Sequence, residues 1–188
     1  MASPEDEALP KIVADAAWDA GFAAGAAANR GGAGPLDTLG AALTAMKGVW
    51  DSAAGLRMWI ITDFEKFEGE LVGNGQCPQI CQLKGHVPLT STWVEGPKVR
   101  GNTQIPRGAA IATFIGGKYP SNAHGNHVAI YIEQDATKGV KVFDQWQGKS
   151  GGAGYRWLPW KDGVSDRSND GTAMSVILTP RPAAAKKK

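Results

Sequence analysis

The amino-acid composition of the chain changes near residue 57, and this change limits the folds that the chain can adopt. Residues 1–56 are dominated by Ala and Gly and hold few β-branched residues. Apolar residues recur at helical spacing over 12–24, which predicts a helix of about four turns. A glycine-rich break at 29–35 and a second apolar stripe over 36–49 predict a second helix. We therefore expect a helical extension that packs on the main domain as a hairpin. The alternatives are a segment that a partner or export machine recognises and a membrane-active segment.

Residues 57–180 have the pattern of a small α+β domain. A short helix is predicted over 78–84, where proline can start it and Gly85 can stop it. Apolar runs bounded by turn residues predict strands. These runs are 109–114, 127–132, 140–143 and 173–178. The Ala-Lys tail at 181–188 is expected to lie outside the fold as a terminal or vector-derived segment.

Charge and hydropathy exclude several classes of protein. The net charge is +2, and the three lysines at 186–188 supply more than all of it, so that the rest of the chain carries 2 − 3 = −1. Such a chain lacks the basic face that nucleic acid requires. No stretch approaches the apolar length of about 18 residues that a transmembrane helix needs, so no integral membrane segment is expected. The acidic start at 5–7 contradicts a secretory signal, so any action outside the cell requires another export route.

Cys77 is the strongest candidate for a reactive side chain. Pro78 is favoured at the first position of a helix because its missing N–H needs no partner there, which makes Cys77 the expected N-cap. A sulfur at the positive end of a helix dipole is stabilised as a thiolate, so its pKa falls. The glycine-rich loop before it allows a substrate backbone to approach. A buried, inert cysteine is the alternative interpretation.

His127 opens the clearest strand and offers a base for the cysteine. Strand alternation places it on the face opposite the large apolar residues of that strand. If Ile132 pairs with Gly139 in a hairpin, His127 faces Asp144, which could orient the imidazole. A slip of one residue puts Gln145 in that place instead. A nucleophile, a base and an orienting group are then available, although Asp144 could also be a solvated strand-end carboxylate.

A zinc site is the competing interpretation of these residues. Sulfur and imidazole suit zinc, and two pairs of possible ligands occur: Cys77 and Cys81, then His124 and His127. The segment between the pairs is far longer than in compact zinc fingers and contains a strand and loops of its own. We therefore expect neither a metal nor a cofactor, and we expect Cys81 to be a small core residue.

Several short motifs resemble those of the NlpC/P60 and CHAP peptidoglycan hydrolases. The Gln-Cys pair at 76–77, the Gly-Asn-His run at 125–127 and the Asp-Gln-Trp run at 144–146 are similar to the cysteine, histidine and third-residue motifs of these enzymes. A closer resemblance is to a small bacterial family of amidase effectors within that papain-like group. Its Thr-Ser-Trp stretch and its GTAIATF strand resemble 90–93 and 108–114 here. The motifs keep their order and spacing, which makes the resemblance specific.

The resemblance, which covers roughly residues 61–180, implies a papain-like α+β fold in which the cysteine helix packs on an antiparallel sheet. It implies that Cys77 is the nucleophile, His127 the general base and Asp144 the orienting residue. It also implies that residues next to these bind substrate or the oxyanion: Gln76, Asn126, Gln145 and Trp146. The sequence departs from the family at 78–81, where relatives more often carry an aliphatic helix start.

The function that the resemblance implies is hydrolysis of amide bonds in peptidoglycan stem peptides. The γ-D-glutamyl–diaminopimelate bond is the first expectation and the bond between muramic acid and L-Ala the second. Members of the resembled group are associated with type VI secretion, so we expect synthesis in a bacterial cytoplasm and action in the periplasm of a rival cell. A cognate immunity protein and a component of the secretion apparatus are the expected partners. The alternatives are a phage-type lysin, a cell-wall-binding module without activity, and an acyltransferase.

Overall fold

Two helices precede the sheet in a computed structural model that describes residues 3–53 and 55–181. Helix α1 spans Pro4–Arg30 and helix α2 spans Pro35–Ala53. A short glycine-rich turn joins them, so that the two helices lie side by side. The predicted helical hairpin is confirmed. The predicted tail at 181–188 lies, after its first residue, outside the described residues.

The described residues form one antiparallel sheet of seven strands, and a short helix, α3 at Cys77–Lys84, packs on it. The strand order is β1-β7-β3-β4-β5-β6, and β2 also pairs with β7. The sheet therefore has its earliest and latest strands next to each other and the β4–β5 hairpin near its other edge. The strands are β1 (Leu56–Met58), β2 (Val94–Lys98), β3 (Ala110–Thr113), β4 (Val128–Asp135), β5 (Gly139–Asp144), β6 (Gly154–Leu158) and β7 (Met174–Pro180).

All four predicted strands are present as β3, β4, β5 and β7, and the predicted helix is α3. The sequence pattern does not predict the other three strands, which are short. Strand β2 contains Gly96 and Pro97, two residues that usually argue against a strand. Strand β1 has only three residues, and β6 follows a glycine-rich segment typical of a loop.

Both faces of the sheet are covered, which explains why β3 is buried along its whole length. Side chains of β4 alternate between two apolar clusters: Val128 and Ile130 pack with α3, whereas Ala129 and Tyr131 pack with α1. Each face of the central strands therefore supports a different helix. The helix that carries Cys77 has a rigid base as a result.

The first half of α1 is part of the core. Leu9, Ile12 and Val13 are buried against the sheet in the cluster that contains Met174 and Val176. A buried amide adds a directional contact, because Asn102 Nδ2 donates to the Ile12 carbonyl oxygen at 2.8 Å. The helical extension thus packs on the α+β domain through α1.

The remainder of the hairpin projects an apolar face. Gly21 allows α1 and α2 to approach closely, because a Cβ there would lie 2.5 Å from the Met46 side chain. Large apolar side chains next to this contact are exposed: Trp18, Phe22, Leu36, Leu39 and Leu43. In the part of the chain that the structure describes, no helix combines the length and apolar character that a membrane crossing requires.

We predict that Ile12→Ala lowers the free energy of unfolding by about 2–5 kcal/mol, because it leaves a cavity between α1 and the sheet. Leu36→Ala is the matched control; this side chain is 84% exposed, and its truncation should change the value by less than about 0.5 kcal/mol. Urea denaturation of the full chain measures both. Equal values for the two variants would contradict the docking of α1 on the sheet.

Candidate active site

Cys77 is the first residue of α3, and Gln76 is its N-cap in an extended conformation. The predicted cap position is therefore wrong by one residue. Proline marks the start of a helix without fixing it to one residue, because the N–H groups of the first and second helical positions both lack partners. The sulfur still lies at the N-terminal end of the helix, where the dipole favours negative charge.

The Cys77 side chain is accessible although it is mostly buried. The residue is 8% exposed and lies where two cavities of about 540 and 250 Å³ meet. Gln76, Asn122 and Asn126 also line both cavities. A substrate chain can therefore pass over the sulfur with one part in each cavity.

Cys81 lies one turn after Cys77 and has a different environment. It is fully buried, and its Sγ lies 4.0 Å from the Ala129 carbonyl oxygen. Burial, together with the charge of Cys77, raises the pKa of its thiol far above the ordinary value. The expected core role of Cys81 is confirmed, and it is separated from His124, which is exposed. Within residues 3–53 and 55–181, no three His, Cys, Asp or Glu side chains are grouped as metal ligands.

His127 and Asp144 form a buried pair. His127 Nε2 lies 2.6 Å from Asp144 Oδ2, and both side chains are almost completely shielded from solvent. Because an ionised carboxylate only accepts hydrogen bonds, Nε2 carries the hydrogen and donates it. The other ring nitrogen, Nδ1, is then left for the Cys77 sulfur. The three residues that the sequence selects as a catalytic set are brought together.

The hairpin that joins them has a register other than the predicted one. Asp135, not Ile132, pairs with Gly139, and a bulge follows Tyr131. Strand β4 continues to Asp135 and the turn is shorter than predicted, because the Asp135 side chain accepts hydrogen bonds from the backbone N–H groups of Thr137 and Lys138. The predicted direct opposition of His127 and Asp144 is therefore wrong, although their contact is present.

His127 lies just before β4, and strand alternation does not set the direction of its ring. Its backbone N–H donates to Thr113 Oγ1 at 2.9 Å, and its carbonyl accepts from the Thr113 N–H at 3.0 Å. This anchor on β3 leaves the imidazole at the sheet end, between Asp144 and Cys77. The predicted face, opposite the large apolar residues of β4, does not apply to a residue outside the strand.

Two cations also hold Asp144, and the sequence does not reveal either of them. Lys149 Nζ donates to Oδ1 at 2.8 Å, and Arg156 Nε donates to Oδ2 at 2.7 Å. Lys149 also donates to the backbone carbonyls of Asp144 and Gly154. Lys149 lies in a glycine-rich loop and Arg156 on the unpredicted strand β6, so no motif marks them. A buried carboxylate in this position needs such partners.

The pKa values of the three groups follow from these contacts. Burial raises the pKa of Cys77, but the hydrogen bond and charge of His127 outweigh it and bring the value below normal. Burial lowers the pKa of His127, but Asp144 and Cys77 raise it above normal. Burial likewise raises the pKa of Asp144, and His127, Arg156 and Lys149 together hold it well below its usual range. The site therefore favours a thiolate next to an imidazolium.

The four expected substrate or oxyanion residues have different positions. Gln76 and Asn126 line both cavities, and Trp146 lines the larger one with its ring 6.5 Å from that of His127. Gln145 is fully buried and contacts neither cavity. Its amide instead bonds the backbone N–H and carbonyl of Val72 and the carbonyl of Gln76. Gln145 thus positions the loop before Cys77, which corrects its expected binding role.

Tyr119 is a further site residue that the sequence does not indicate. Its hydroxyl oxygen lies 3.7 Å from Cys77 Sγ and accepts a hydrogen bond from Asn126 Nδ2 at 2.9 Å. It lies 42 residues after the cysteine in a loop. Only the fold brings this loop to the start of α3.

Comparisons with known proteins identify related sequences. The profile of a family described as Domesticated amidase effector 2 matches residues 53–177. A Type VI secretion amidase effector 2 protein from Salmonella typhi is 46% identical over 79 residues, which are 42% of this chain and 59% of that protein. Domesticated amidase effector 2 from Ixodes scapularis is 43% identical over 61 residues, which are 32% of this chain and 40% of that protein. Each match spans less than two thirds of the relative.

The fold is similar to a solved structure of Type 6 secretion amidase effector 2. The TM-score is 0.59 and the identity 30%, and the match covers 66% of this chain and 97% of that one. The predicted α+β class with an antiparallel sheet is confirmed. The narrower papain-like NlpC/P60 assignment stays a prediction. The family match begins at residue 53, so α1 and nearly all of α2 precede it.

We predict that Asp144→Asn lowers the free energy of unfolding by about 3 kcal/mol at pH 7, because it leaves two partly buried cations without their counter-charge. Asp162→Asn is the matched control. It removes an exposed partner of Arg100 and should cost no more than about 1 kcal/mol. Urea denaturation compares the two.

The free energy of unfolding of wild type should exceed that of Asp144→Asn by an amount that depends on pH, because the pKa of Asp144 is lowered in the folded protein. The stabilisation is complete above the ordinary aspartate pKa of about 3.9 and is lost as the pH falls toward the lower folded-state value. The difference in free energy of unfolding between wild type and Asp144→Asn should therefore decrease below about pH 4. A gap that does not change between pH 7 and pH 3 would contradict the proposed role of the carboxylate charge.

Proposed function

The chain belongs to the domesticated amidase effector 2 family, and from that premise we propose that it is a cysteine amidase that cleaves stem peptides of bacterial peptidoglycan. The observation that carries the proposal is the position of Cys77 at an open helix start, next to the buried His127–Asp144 pair. A nucleophile, a base and an orienting group in this order are the requirements of amide hydrolysis through a covalent intermediate.

The reaction proceeds in two halves. The Cys77 thiolate attacks the carbonyl carbon of the amide and forms a tetrahedral intermediate. The C–N bond then breaks, the His127 imidazolium gives its proton to the departing amine, and a thioester remains on Cys77. In the second half, neutral His127 takes a proton from water as that water attacks the thioester. The carboxylic acid leaves, and the thiolate and imidazolium are restored.

Asp144 remains ionised throughout this cycle. Its hydrogen bond to His127 Nε2 fixes the ring so that Nδ1 exchanges protons with the sulfur, the amine and the water. The charges of Lys149 and Arg156 keep a proton from moving to the carboxylate. Asp144 is thus a positioning residue, and Cys77 and His127 are the catalytic residues.

The cleft suits a substrate that is polar and carries both signs of charge. The larger cavity is lined by Arg156 and Asp166 together with amide side chains. Stem peptides carry carboxylates and, at diaminopimelate, an ammonium group. The γ-D-glutamyl–diaminopimelate bond is our first choice within this class, and the bond between muramic acid and L-Ala is the second.

We propose in addition that the protein is an antibacterial effector. Relatives that are named type VI secretion amidase effectors support the proposal. The protein is then made in the bacterial cytoplasm, exported by a type VI secretion apparatus, and active in the periplasm of a target cell. An immunity protein that covers the Cys77 cleft would protect the producing cell.

We predict that Cys77→Ala abolishes release of fragments from purified sacculi, with a loss of at least about 10³-fold, because no other group supplies the nucleophile. Cys81→Ala is the matched control four residues later. Its thiol faces the core, so the variant should keep activity. Mass spectrometry of the soluble fragments gives the rate and identifies the bond that is cleaved.

Three results would revise the proposal in different ways. Fragments from Cys77→Ala at the wild-type rate would remove the cysteine from the mechanism. No fragments from any of the three proteins would favour a cell-wall-binding module. Cleavage at another amide, such as the cross-link between two stem peptides, would keep the enzyme class and replace the chosen bond.

We also predict that Cys77 reacts as a thiolate at neutral pH. Because His127 lowers its pKa, alkylation by iodoacetamide should reach half its maximal rate below pH 8.5, about the value of an ordinary cysteine. The same protein in urea is the control, in which both cysteines should titrate near that ordinary value. A folded-state midpoint at or above pH 8.5 would contradict the thiolate–imidazolium pair.

A further inference from the structure

The start of α3 supplies few donors for the oxyanion of the proposed reaction. Pro78 has no N–H, and the Gln79 N–H already donates to the Gln76 carbonyl at 3.0 Å. The Cys77 N–H is the backbone donor that remains at the helix start, and the Val128 backbone N–H reaches the Cys77 sulfur from β4. One N–H of the Gln76 side-chain amide donates to Gln147 Oε1 at 3.0 Å. Tetrahedral intermediates of acyl transfer are stabilised by preorganised donors aimed at the developing oxyanion, so a further side-chain donor beside the sulfur would add to catalysis.

Tyr119 has the position of such a donor. Its hydroxyl oxygen lies 3.7 Å from Cys77 Sγ, and the two side chains line the smaller cavity together. The ring is mostly buried and packs edge-on against Trp93, with 5.2 Å between the ring centres. A phenol held in this way faces the reacting sulfur with little freedom to move.

Asn126 determines the direction of the Tyr119 hydrogen. Asn126 Nδ2 donates to the phenolic oxygen at 2.9 Å and occupies one of its acceptor positions. The hydroxyl hydrogen therefore points elsewhere, and the Cys77 sulfur is within hydrogen-bond distance. Burial and the charge of Cys77 raise the pKa of Tyr119 well above its ordinary value, so the hydrogen stays on the phenol.

The other end of the same amide has no partner. Asn126 Oδ1 is buried and accepts no hydrogen bond, a costly arrangement for a carbonyl oxygen. Asn126 lines both cavities next to Cys77. An N–H group of a bound peptide would satisfy this acceptor. The amide is thus placed to contact the substrate on one side and Tyr119 on the other.

We propose that Tyr119 is a catalytic residue that stabilises first the Cys77 thiolate and then the oxyanion, and that Asn126 directs it while binding a substrate N–H through Oδ1. This inference rests on the proposed amidase function. As the sulfur–carbon bond forms, negative charge moves from sulfur to the carbonyl oxygen, and the Tyr119 O–H turns from one to the other. No proton is transferred, and the phenol is unchanged when the C–N bond breaks.

Tyr119→Phe tests this role, and Tyr155→Phe is the matched control. The Tyr155 hydroxyl contacts Arg107 and lies outside both cavities. We expect Tyr119→Phe to lower kcat for a soluble muropeptide about 100-fold with little change in KM. We also expect the pH midpoint of Cys77 alkylation to move upward, because the thiolate loses a donor. Tyr155→Phe should change neither quantity.

The change in kcat and the pH midpoint of Cys77 alkylation together test the role of Tyr119. A loss in kcat of less than tenfold, or an alkylation midpoint that does not move in the folded variant, overturns it. Alkylation requires no peptidoglycan, so it tests the contact between Tyr119 and Cys77 even if the wild-type protein releases no fragments. A failure of the proposed function is thereby distinguished from a failure of the role of Tyr119.

A double-mutant cycle tests the role of Asn126. We expect Asn126→Ala to raise KM, because Oδ1 no longer accepts from the substrate, and to lower kcat through Tyr119. The kcat losses of Asn126→Ala and Tyr119→Phe should then be less than multiplicative when combined, since both act through one hydroxyl. Fully multiplicative losses, or an unchanged KM in Asn126→Ala, would overturn the assignment of Asn126.

Discussion

The site depends on a single buried carboxylate whose negative charge is stabilised by hydrogen bonds from three side chains. Asp144 has no exposed surface, and it accepts hydrogen bonds from His127, Lys149 and Arg156. A charge in this position is tolerated because the cations of Lys149 and Arg156 neutralise it. The carboxylate can therefore orient His127 without becoming protonated itself. The thiolate of Cys77 is stabilised in turn by the hydrogen bond and charge of His127.

The fold brings these groups together from separate elements. Cys77 starts α3, His127 precedes β4, Asp144 ends β5 and Arg156 lies on β6. Helices cover both faces of the sheet, so its central strands are rigid and their ends are fixed in space. Helix α3 packs on Val128 and Ile130 of β4, which brings its first residue to the histidine. Precise placement of a nucleophile and base requires such support on both sides.

The sequence predicts the proposed catalytic set but not the residues that surround it. Cys77, His127 and Asp144 are marked by local signals: a proline at a helix start, an apolar strand and a short hairpin. The predicted register is wrong because the side chain of Asp135 shapes the turn, a detail that apolar alternation does not contain. Lys149, Arg156 and Tyr119 lie in loops or on a short strand without a pattern of their own. Their contacts depend on long-range packing, as does the burial that turns Gln145 from a binding residue into a structural one.

Intact-mass analysis of acid-quenched enzyme during turnover on soluble muropeptides tests the central claim most directly. We predict a covalent adduct with the mass of the acyl fragment, located by digestion on the peptide that contains Cys77, and its disappearance when substrate is exhausted. Turnover that continues without any adduct in rapidly quenched samples, or an adduct on another residue, would contradict catalysis through a thioester of Cys77.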